Sequence, residues 1–561
     1  MLFEKRLQYI NRYREIAVAF SKSGFGFIIE QLGLDEVISL PKRLIMRKQE
    51  AQPTEHSRGE RVRMLLESLG PTFTKLGQMA STRPDILPPD IVSELEKLQS
   101  DTRPLEFDTV KTSIETSLGA KLEEIFLEFD EIPIGSASIG QVHSATLKTG
   151  QRVAVKVQRP NIERTIRNDL EILNHIATLA DHRLEIGTHF QVTTIIEEFS
   201  KAIIDELDYT VEARNQDKIR KQFLEADNVK VPEVMWELTT KDVLIMEFID
   251  GISIGDHERL RQENYDVTEL ADTLTKALFH QILIEGFFHG DPHPGNIKVL
   301  PDETIAFIDF GMVGRLGQDM KGHFGFLVIS LMRQDVEGVV RAITKMGVLP
   351  DTVNLSVLRK DAEQLKDKYY EIPLSQMNLG EAVQELFNIA HKHKIIFPSD
   401  FTILGKTILT METIVTRLDP EFSIVDVAEP FGKALIKERL HPEYLKSTAF
   451  RRLYQVSDNI EDLTHNIHEF TKGLKNRKLP VNLEIDTADK ILSRFDKLAN
   501  RLSFSIILLS FSIIMVGLIV SSALSGQDTI IWNVPIIEIG TVIAIILFIG
   551  MFLSIFKSGR F

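Results

Sequence analysis

Cysteine is absent from all 561 residues. Its absence excludes disulfide frameworks, zinc ribbons, thiolate catalysis and Cys-ligated iron–sulfur clusters, and fits a reducing compartment. Positive charge is scarce: 65 Lys and Arg stand against 80 Asp and Glu, a formal net charge of −15. Binding along nucleic acid needs a basic face, so no broad nucleic-acid role is expected. A cleavable leader is not expected either, because the first apolar stretch, IAVAFSKSGFGFII, is broken by Lys22 and followed by charged sequence. What is present is ordinary for a globular protein. With 43% hydrophobic and 26% charged residues, wholesale disorder is excluded, and the length suits about three or four folded units.

The shortage of charge becomes total near the C-terminus. Leu502 to Gln527 carries no charged residue, and a second uncharged run extends from Ile539 to Phe556. A bilayer core of ~30 Å takes ~20 apolar residues, so each run is long enough to cross. Gly526, Asn533 and Pro535 supply turn chemistry between them, and Trp532 suits an interface. A pair of buried core helices is the competing reading, but core helices seldom run so long without a polar face. Lys490, Arg494, Lys497 and Arg501 precede the first run, Lys557 and Arg560 follow the second, and the connector has no Lys or Arg. The positive-inside rule then expects a cell-membrane hairpin with the body and both termini cytoplasmic.

Three motifs in the middle of the chain point to phosphoryl chemistry. Val153-Ala154-Val155-Lys156 reads as a strand presenting an ammonium to phosphates. His289-Gly290-Asp291-Pro292-His293-Pro294-Gly295-Asn296 places Asp and Asn at the spacing of a kinase catalytic loop, where Asp291 orients or deprotonates an acceptor and Asn296 holds Mg²⁺. Asp309-Phe310-Gly311, after the strand-like TIAFI, supplies a second metal carboxylate. Each motif alone is weak; their order is what carries the assignment.

Upstream, Gly135-Ser136-Ala137-Ser138-Ile139-Gly140-Gln141-Val142 matches a phosphate-covering loop at both end glycines and the valine, with Ala137 in place of the central glycine. Alanine there restricts close approach to phosphate. DELDYTVEARNQDKIRKQF has helical period, with Glu212 four residues after Asp208 on one face, and supplies an acid to pair with Lys156. VLIMEFIDG reads as a strand entering a hinge whose backbone from Glu247 to Ile249 could meet adenine.

These motifs, together with Lys75-Leu76-Gly77-Gln78 in GPTFTKLGQMASTRPDILP and Glu206-Leu207-Asp208, resemble the UbiB family of atypical kinases from Met64 to Gly314, and more loosely to the C-terminus. That family's loop is typically alanine-rich, from which Gly135 and Gly140 depart. The resemblance implies ATP and Mg²⁺ as cofactors, a Lys156–Glu212 ion pair, Asp291 as the catalytic Asp, and Asn296 and Asp309 as metal ligands. It implies an N-terminal extension whose Lys75, Gly77 and Gln78 fold over the site and engage Glu206 and Asp208. It also implies a link to isoprenoid-quinone synthesis, with quinone-precursor lipids or a biosynthetic complex as partners beside the lipid bilayer; a homodimer is a further expectation.

The expected architecture is α+β and bilobal, protein-kinase-like: a helical extension over 1–105, an N-lobe over 106–250, a helix-rich C-lobe over 251–440, a helical juxtamembrane region over 441–501 and two transmembrane helices within 502–556. After Gly311 there is no A-P-E and no obvious phosphorylatable segment, and HGD resembles small-molecule kinases. The expected activity is therefore an ATPase or a kinase of something small. A metal hydrolase built on His289, Asp291 and His293 leaves VAVK and DFG unexplained. A nucleotide-binding pseudokinase scaffold is the stronger alternative. In the basic stretch from Pro41 to Arg63, Lys42, Arg43, Arg47, Lys48, Arg58, Arg61 and Arg63 fit either a solvated face or contact with anionic lipid. HKIIFPSDFTILGKTILTMETIVTRLDP reads as a core helix, with Met411 as a gap-filler.

Overall fold

The structure is a computed structural model. It describes residues 2–33, 56–98, 103–183, 192–332, 335–349, 353–369, 379–428 and 430–431, plus seven positions between 506 and 520. The chain divides into two compact units, Met1–Ser447 and Thr448–Phe561.

Among the described residues, the first unit begins with the helices α1 (Leu2–Lys22), α2 (Gly26–Gln31), α3 (Arg58–Leu69), α4 (Pro71–Ala80) and α5 (Pro89–Leu95). Ser57 and Glu60 form a reciprocal capping box that starts α3. Gly70, at φ 92°, then turns the chain so that Pro71 opens α4. Next come α6 (Phe107–Leu118) and α7 (Leu122–Ile125), leading into an antiparallel sheet of β1 (Phe126–Phe129), β2 (Gly135–Ser136), β3 (Gly140–Leu147), β4 (Arg152–Gln158) and a later strand. Between them lie α8 (Ile162–Arg183), α9 (Val192–Glu206), α10 (Tyr209–Gln222) and β5 (Val229–Lys230). The sheet closes with β6 (Val243–Glu247) in the order β1-β3-β4-β6, β2 pairing on β3.

The helical extension is bolted to α8. Ile16, Leu65, Leu69 and Phe73 share one buried core with Ile166, Leu170, Phe199 and Ile203. Within that contact Arg12 Nε donates to Asp169 Oδ1 at 2.7 Å, Arg12 Nη2 donates to Leu69 O at 2.6 Å, and Thr72 Oγ1 donates to Asp169 Oδ2 at 2.7 Å. A buried carboxylate satisfied this fully orients one helix set on another.

The C-terminal lobe has β7 (Ile252–Ser253), α11 (His257–Gln262), α12 (Val267–Phe279), a π-helical turn (His280–Glu285), β8 (Phe287–His289), β9 (Ile297–Val299), β10 (Ile305–Phe307) and β11 (Val313–Arg315). The helices α13 (Gln318–Met332), α14 (Val336–Met346), α15 (Leu355–Tyr369), α16 (Leu379–Lys392) and α17 (Ser399–Leu418) follow. One sheet runs β5-β10-β9-β7, and β11 pairs with β8. As expected from its spacing, α17 is a core helix that buries Phe401, Leu404, Ile408, Met411, Ile414 and Val415.

One expectation is corrected. The acidic helix begins only at Tyr209: Asp208 Oδ1 accepts from Thr210 N at 3.0 Å as its N-cap, so Asp208 and Glu212 do not share a helix face. Among the described residues, no helix is long and apolar enough to cross a membrane. The runs expected to span, and their flanking charges, lie almost wholly outside the described residues. Ile506, Leu509, Ser510, Ser512, Ile513, Val516 and Val520 are described there, each helical and exposed.

Candidate active site

Strand alternation builds the first half of the site. Val153, Val155 and Val157 on β4 bury in the core between the sheet and α6, so Ala154 and Lys156 take the opposite face. There Lys156 Nζ lies 2.8 Å from both Glu212 oxygens, 3.8 Å from Asp309 Oδ2 and 5.4 Å from the centre of the Tyr209 ring. Burial opposes the ammonium's charge, but Asp309 and Glu212 outweigh it and hold Lys156 well above the usual lysine value. Burial raises the Glu212 carboxyl, with Lys156 pulling against it. Burial also opposes ionising Asp309, yet Lys156 and the Gly311 N–H, 2.9 Å from Asp309 Oδ1, hold that carboxyl well below the usual range.

The second half is the turn after β8. Asn296 Nδ2 donates to Asp291 O at 3.1 Å, which aims the Asn296 carbonyl oxygen away from the loop. His289 is buried, its backbone N–H donates to Gln281 Oε1 at 2.8 Å, and desolvation pushes its imidazole down to about 4. It is therefore a neutral prop for the loop. Val313 pairs with His289 across β11 and β8, so the chain returns from Gly311 straight alongside the catalytic loop before entering α13.

The phosphate-covering segment is a tight hairpin. Gly135 pairs with Val142, Ser136 with Gln141, and Ala137 N donates to Gly140 O at 2.8 Å. Arg159 clamps it: Nε donates to Ala137 O at 3.0 Å and Nη2 to Ser136 Oγ at 2.8 Å. Ser138 is buried, and Ile139 is buried in the core that Leu76 and Met79 of α4 cover. Gln141 is buried with its amide between Leu105 N and His143 Nε2, so its side chain serves the sheet. Val142 packs with Ala154, Leu244 and Met246. At the hinge, the N–H groups of Glu247 and Phe248 donate to Glu233 O and Arg152 O, while the Glu247 carboxylate pairs with Lys230 at 2.5 Å. Ile249 follows in irregular backbone.

The extension closes over this cleft. Lys75 pairs with Glu206 and also helps to hold down the Asp309 carboxyl. Gln78 Nε2 donates to Leu98 O at 3.1 Å, and Gly77 faces the same neighbourhood, where a Cβ would strike Leu98 and come within 2.8 Å of Leu66. Asp208 is occupied in capping α10. Of the basic stretch, Arg61 stacks on Phe25 at 5.3 Å and Arg63 pairs with Glu67 and Glu94, whereas Lys42, Arg43, Arg47 and Lys48 lie outside the described residues.

Sequence reasoning missed two contributors. Lys406, on α17, places Nζ 2.8 Å from Asp291 Oδ1. Its one signal is its position as the only charge between Asp400 and Glu412 of an otherwise apolar and hydroxyl-bearing helix. Arg83 and Asp85, in the chain leaving α4, form a buried bidentate pair of 3.0 Å contacts, and Asp85 Oδ2 accepts from Phe397 N at 3.0 Å.

Three ammonium groups thus face four carboxylates around the cleft: Lys75, Lys156 and Lys406 against Glu206, Glu212, Asp291 and Asp309. Among the described residues no group of three or more His, Asp or Glu is arranged to hold a metal alone. Asn296 and Asp309 do fit Mg²⁺ in the form it takes beside nucleotides, with few protein ligands and the remainder from phosphate and water.

Comparison with known proteins accounts for this arrangement. Residues 97–343 match the ABC1 atypical kinase-like domain, 362–423 the UbiB helical domain and 486–557 the ABC1/UbiB kinase-like C-terminal domain. The chain is 30% identical over 554 residues to an uncharacterized protein in the hydrogenase 1 5' region of Clostridium pasteurianum, covering 98% of this chain and 99% of that one. It is 34% identical over 424 residues to a probable protein kinase UbiB of Xylella fastidiosa strain 9a5c, covering 74% and 77%. Among solved structures, the complex of Rv3197 with erythromycin from Mycobacterium tuberculosis has a TM-score of 0.46 and 24% identity over 63% of this chain and 90% of that one, a likeness too distant to bear on function. On the UbiB relative, matched over 77% of its length, and the three matched domains, this chain belongs to the ABC1/UbiB family of atypical kinases.

Proposed function

We propose that this protein is a Mg-ATP-dependent ATPase or kinase of a small, membrane-borne acceptor, held at the membrane by its C-terminal hydrophobic pair, and that it supports isoprenoid-quinone or other membrane-lipid metabolism. The observation that carries the reading is the convergence of Lys156, Glu212 and Asp309 with the Asp291–Asn296 turn in one cleft. Lys156 would bind the α- and β-phosphates, oriented by Glu212. Backbone at Glu247 and Ile249 would take adenine, with Val142 and Ala154 above it. Asn296 and Asp309 would hold Mg²⁺, which when bound neutralises charge developing on the transferred phosphoryl. Asp291 would accept the proton of the attacking hydroxyl or water. The extension, held through the Lys75–Glu206 pair, would cover the site on the side where a protein acceptor would dock. The seven described positions between 506 and 520 are helical and exposed, and five of them are apolar, which supports a helix that meets lipid.

The test is ATP turnover by the purified full chain, with and without anionic liposomes and a phenolic quinone-precursor mimic. Both additions should stimulate turnover, and Asp291→Asn should lower it on the order of 10²- to 10⁴-fold while nucleotide still binds. Asp309→Asn should instead abolish Mg-dependent nucleotide affinity. Wild-type binding without turnover would favour the pseudokinase scaffold, and turnover indifferent to Asp291→Asn would sink the assignment.

A further inference from the structure

The catalytic loop rests on α17 through three residues of one helix face. Ile403 packs so closely that a Cβ at Gly290 would lie 2.9 Å from its Cγ2, Thr407 Oγ1 donates to His289 O at 3.2 Å, and between them Lys406 Nζ meets Asp291 Oδ1 at 2.8 Å. Residues i, i+3 and i+4 of a helix share a face, so the three act as one floor. The floor explains the glycine of HGD: an arginine side chain has no room against Ile403 and Met312.

Lys406 and Asp291 are 25% and 28% exposed, so their pair lies at the cleft surface and is not a buried structural bridge. The other Asp291 oxygen, Oδ2, is 4.0 Å from His293 Nε2, beyond hydrogen-bond reach. One oxygen is held and the other is open to an acceptor.

We infer that Lys406 is a positioning residue for the reaction, fixing Asp291 through Oδ1 so that Oδ2 faces the acceptor's hydroxyl. The inference rests on the kinase reading of the cleft. A carboxylate free to rotate would spend most of its time off line, and misplacement of about 1 Å costs on the order of 10²-fold in rate.

The experiment compares wild type, Lys406→Met and Lys406→Arg in full-chain ATP turnover, with melting temperature recorded for each. Lys406→Met should lower kcat on the order of 10- to 100-fold with KM for ATP within about twofold, and Lys406→Arg should restore most of it by keeping a donor on Asp291. A raised KM with unchanged kcat would make Lys406 a nucleotide-binding residue and overturn the inference, as would a lowered melting temperature that Lys406→Arg fails to rescue. A second readout does not depend on turnover. Limited acetylation with acetic anhydride, mapped by peptide mass, should label Lys406 several-fold faster in Asp291→Asn than in wild type. Equal labelling would overturn the pairing, whereas faster labelling in Asp291→Asn, with no turnover by the wild type, would keep the pair and remove the kinase reading.

Discussion

At the scale of single residues, the site depends on a cation that would be costly without its partners. Lys156 is kept charged inside the fold by Glu212 and Asp309. Lys156→Met leaves the Glu212 carboxylate, only 6% exposed, without its counter-charge. That change is expected to destabilise the protein by about 3 kcal/mol in thermal or chemical unfolding, and Lys156→Met with Glu212→Leu to regain most of it, because removing both charges removes the desolvation problem. Equal stability of the single and double variants would refute the pairing argument. The residue types of this trio were legible from motifs alone. The burial that makes the pair strong was not, since it depends on the helix laid across β4 by fifty-odd residues of intervening chain.

At the scale of elements, the phosphate-covering hairpin separates two glycines that look alike in the sequence. At Gly140 a Cβ would strike Tyr209 Oη and lie 2.6 Å from Val157 O, whereas at Gly135 it would meet nothing within 4 Å. Gly140→Ala should therefore cost about 1–3 kcal/mol and displace Tyr209 beneath Lys156, while Gly135→Ala should leave the melting temperature and nucleotide affinity unchanged. The reverse ranking in a melting experiment would overturn this account. Gly140 is thus required by packing, and Ala137 is tolerated because Arg159 holds the turn through its backbone carbonyl. Which face of β4 carries Lys156 depends only on the period of two, a local property of the chain. The start of α10 was misread because Asp208 has helical spacing to Glu212, and capping geometry rather than spacing ended its membership of the helix.

At the scale of the whole first unit, the extension is latched to both sides of the cleft. Arg83 reaches Glu198 of α9 at 3.4 Å and Phe397 O at 3.3 Å, while Asp85 accepts from Phe397 N and its own carbonyl faces His391. Asp85→Asn leaves the buried Arg83 guanidinium without its bidentate partner and should destabilise by about 3 kcal/mol. Hydrogen exchange should rise in α4 and α5 ahead of the C-lobe helices, since local opening follows the weakest contacts. Uniform protection in that variant would show that the apolar core with Leu76 and Met79, not this latch, holds the extension down.

What the sequence determined by itself is everything that depends on short-range pattern: the order of the phosphoryl-transfer motifs, the face of β4 that bears Lys156, the core character of α17, and the two uncharged runs near the C-terminus. These follow from periodicity, from chemistry confined to a few adjacent positions, or from length against bilayer thickness. The tertiary structure alone decided that Lys406 meets Asp291, that Arg83 and Asp85 clasp the segment at Phe397, and that Ile139 lies under the extension. Those contacts join residues more than sixty positions apart, and no local pattern records which distant charge will complete a buried one.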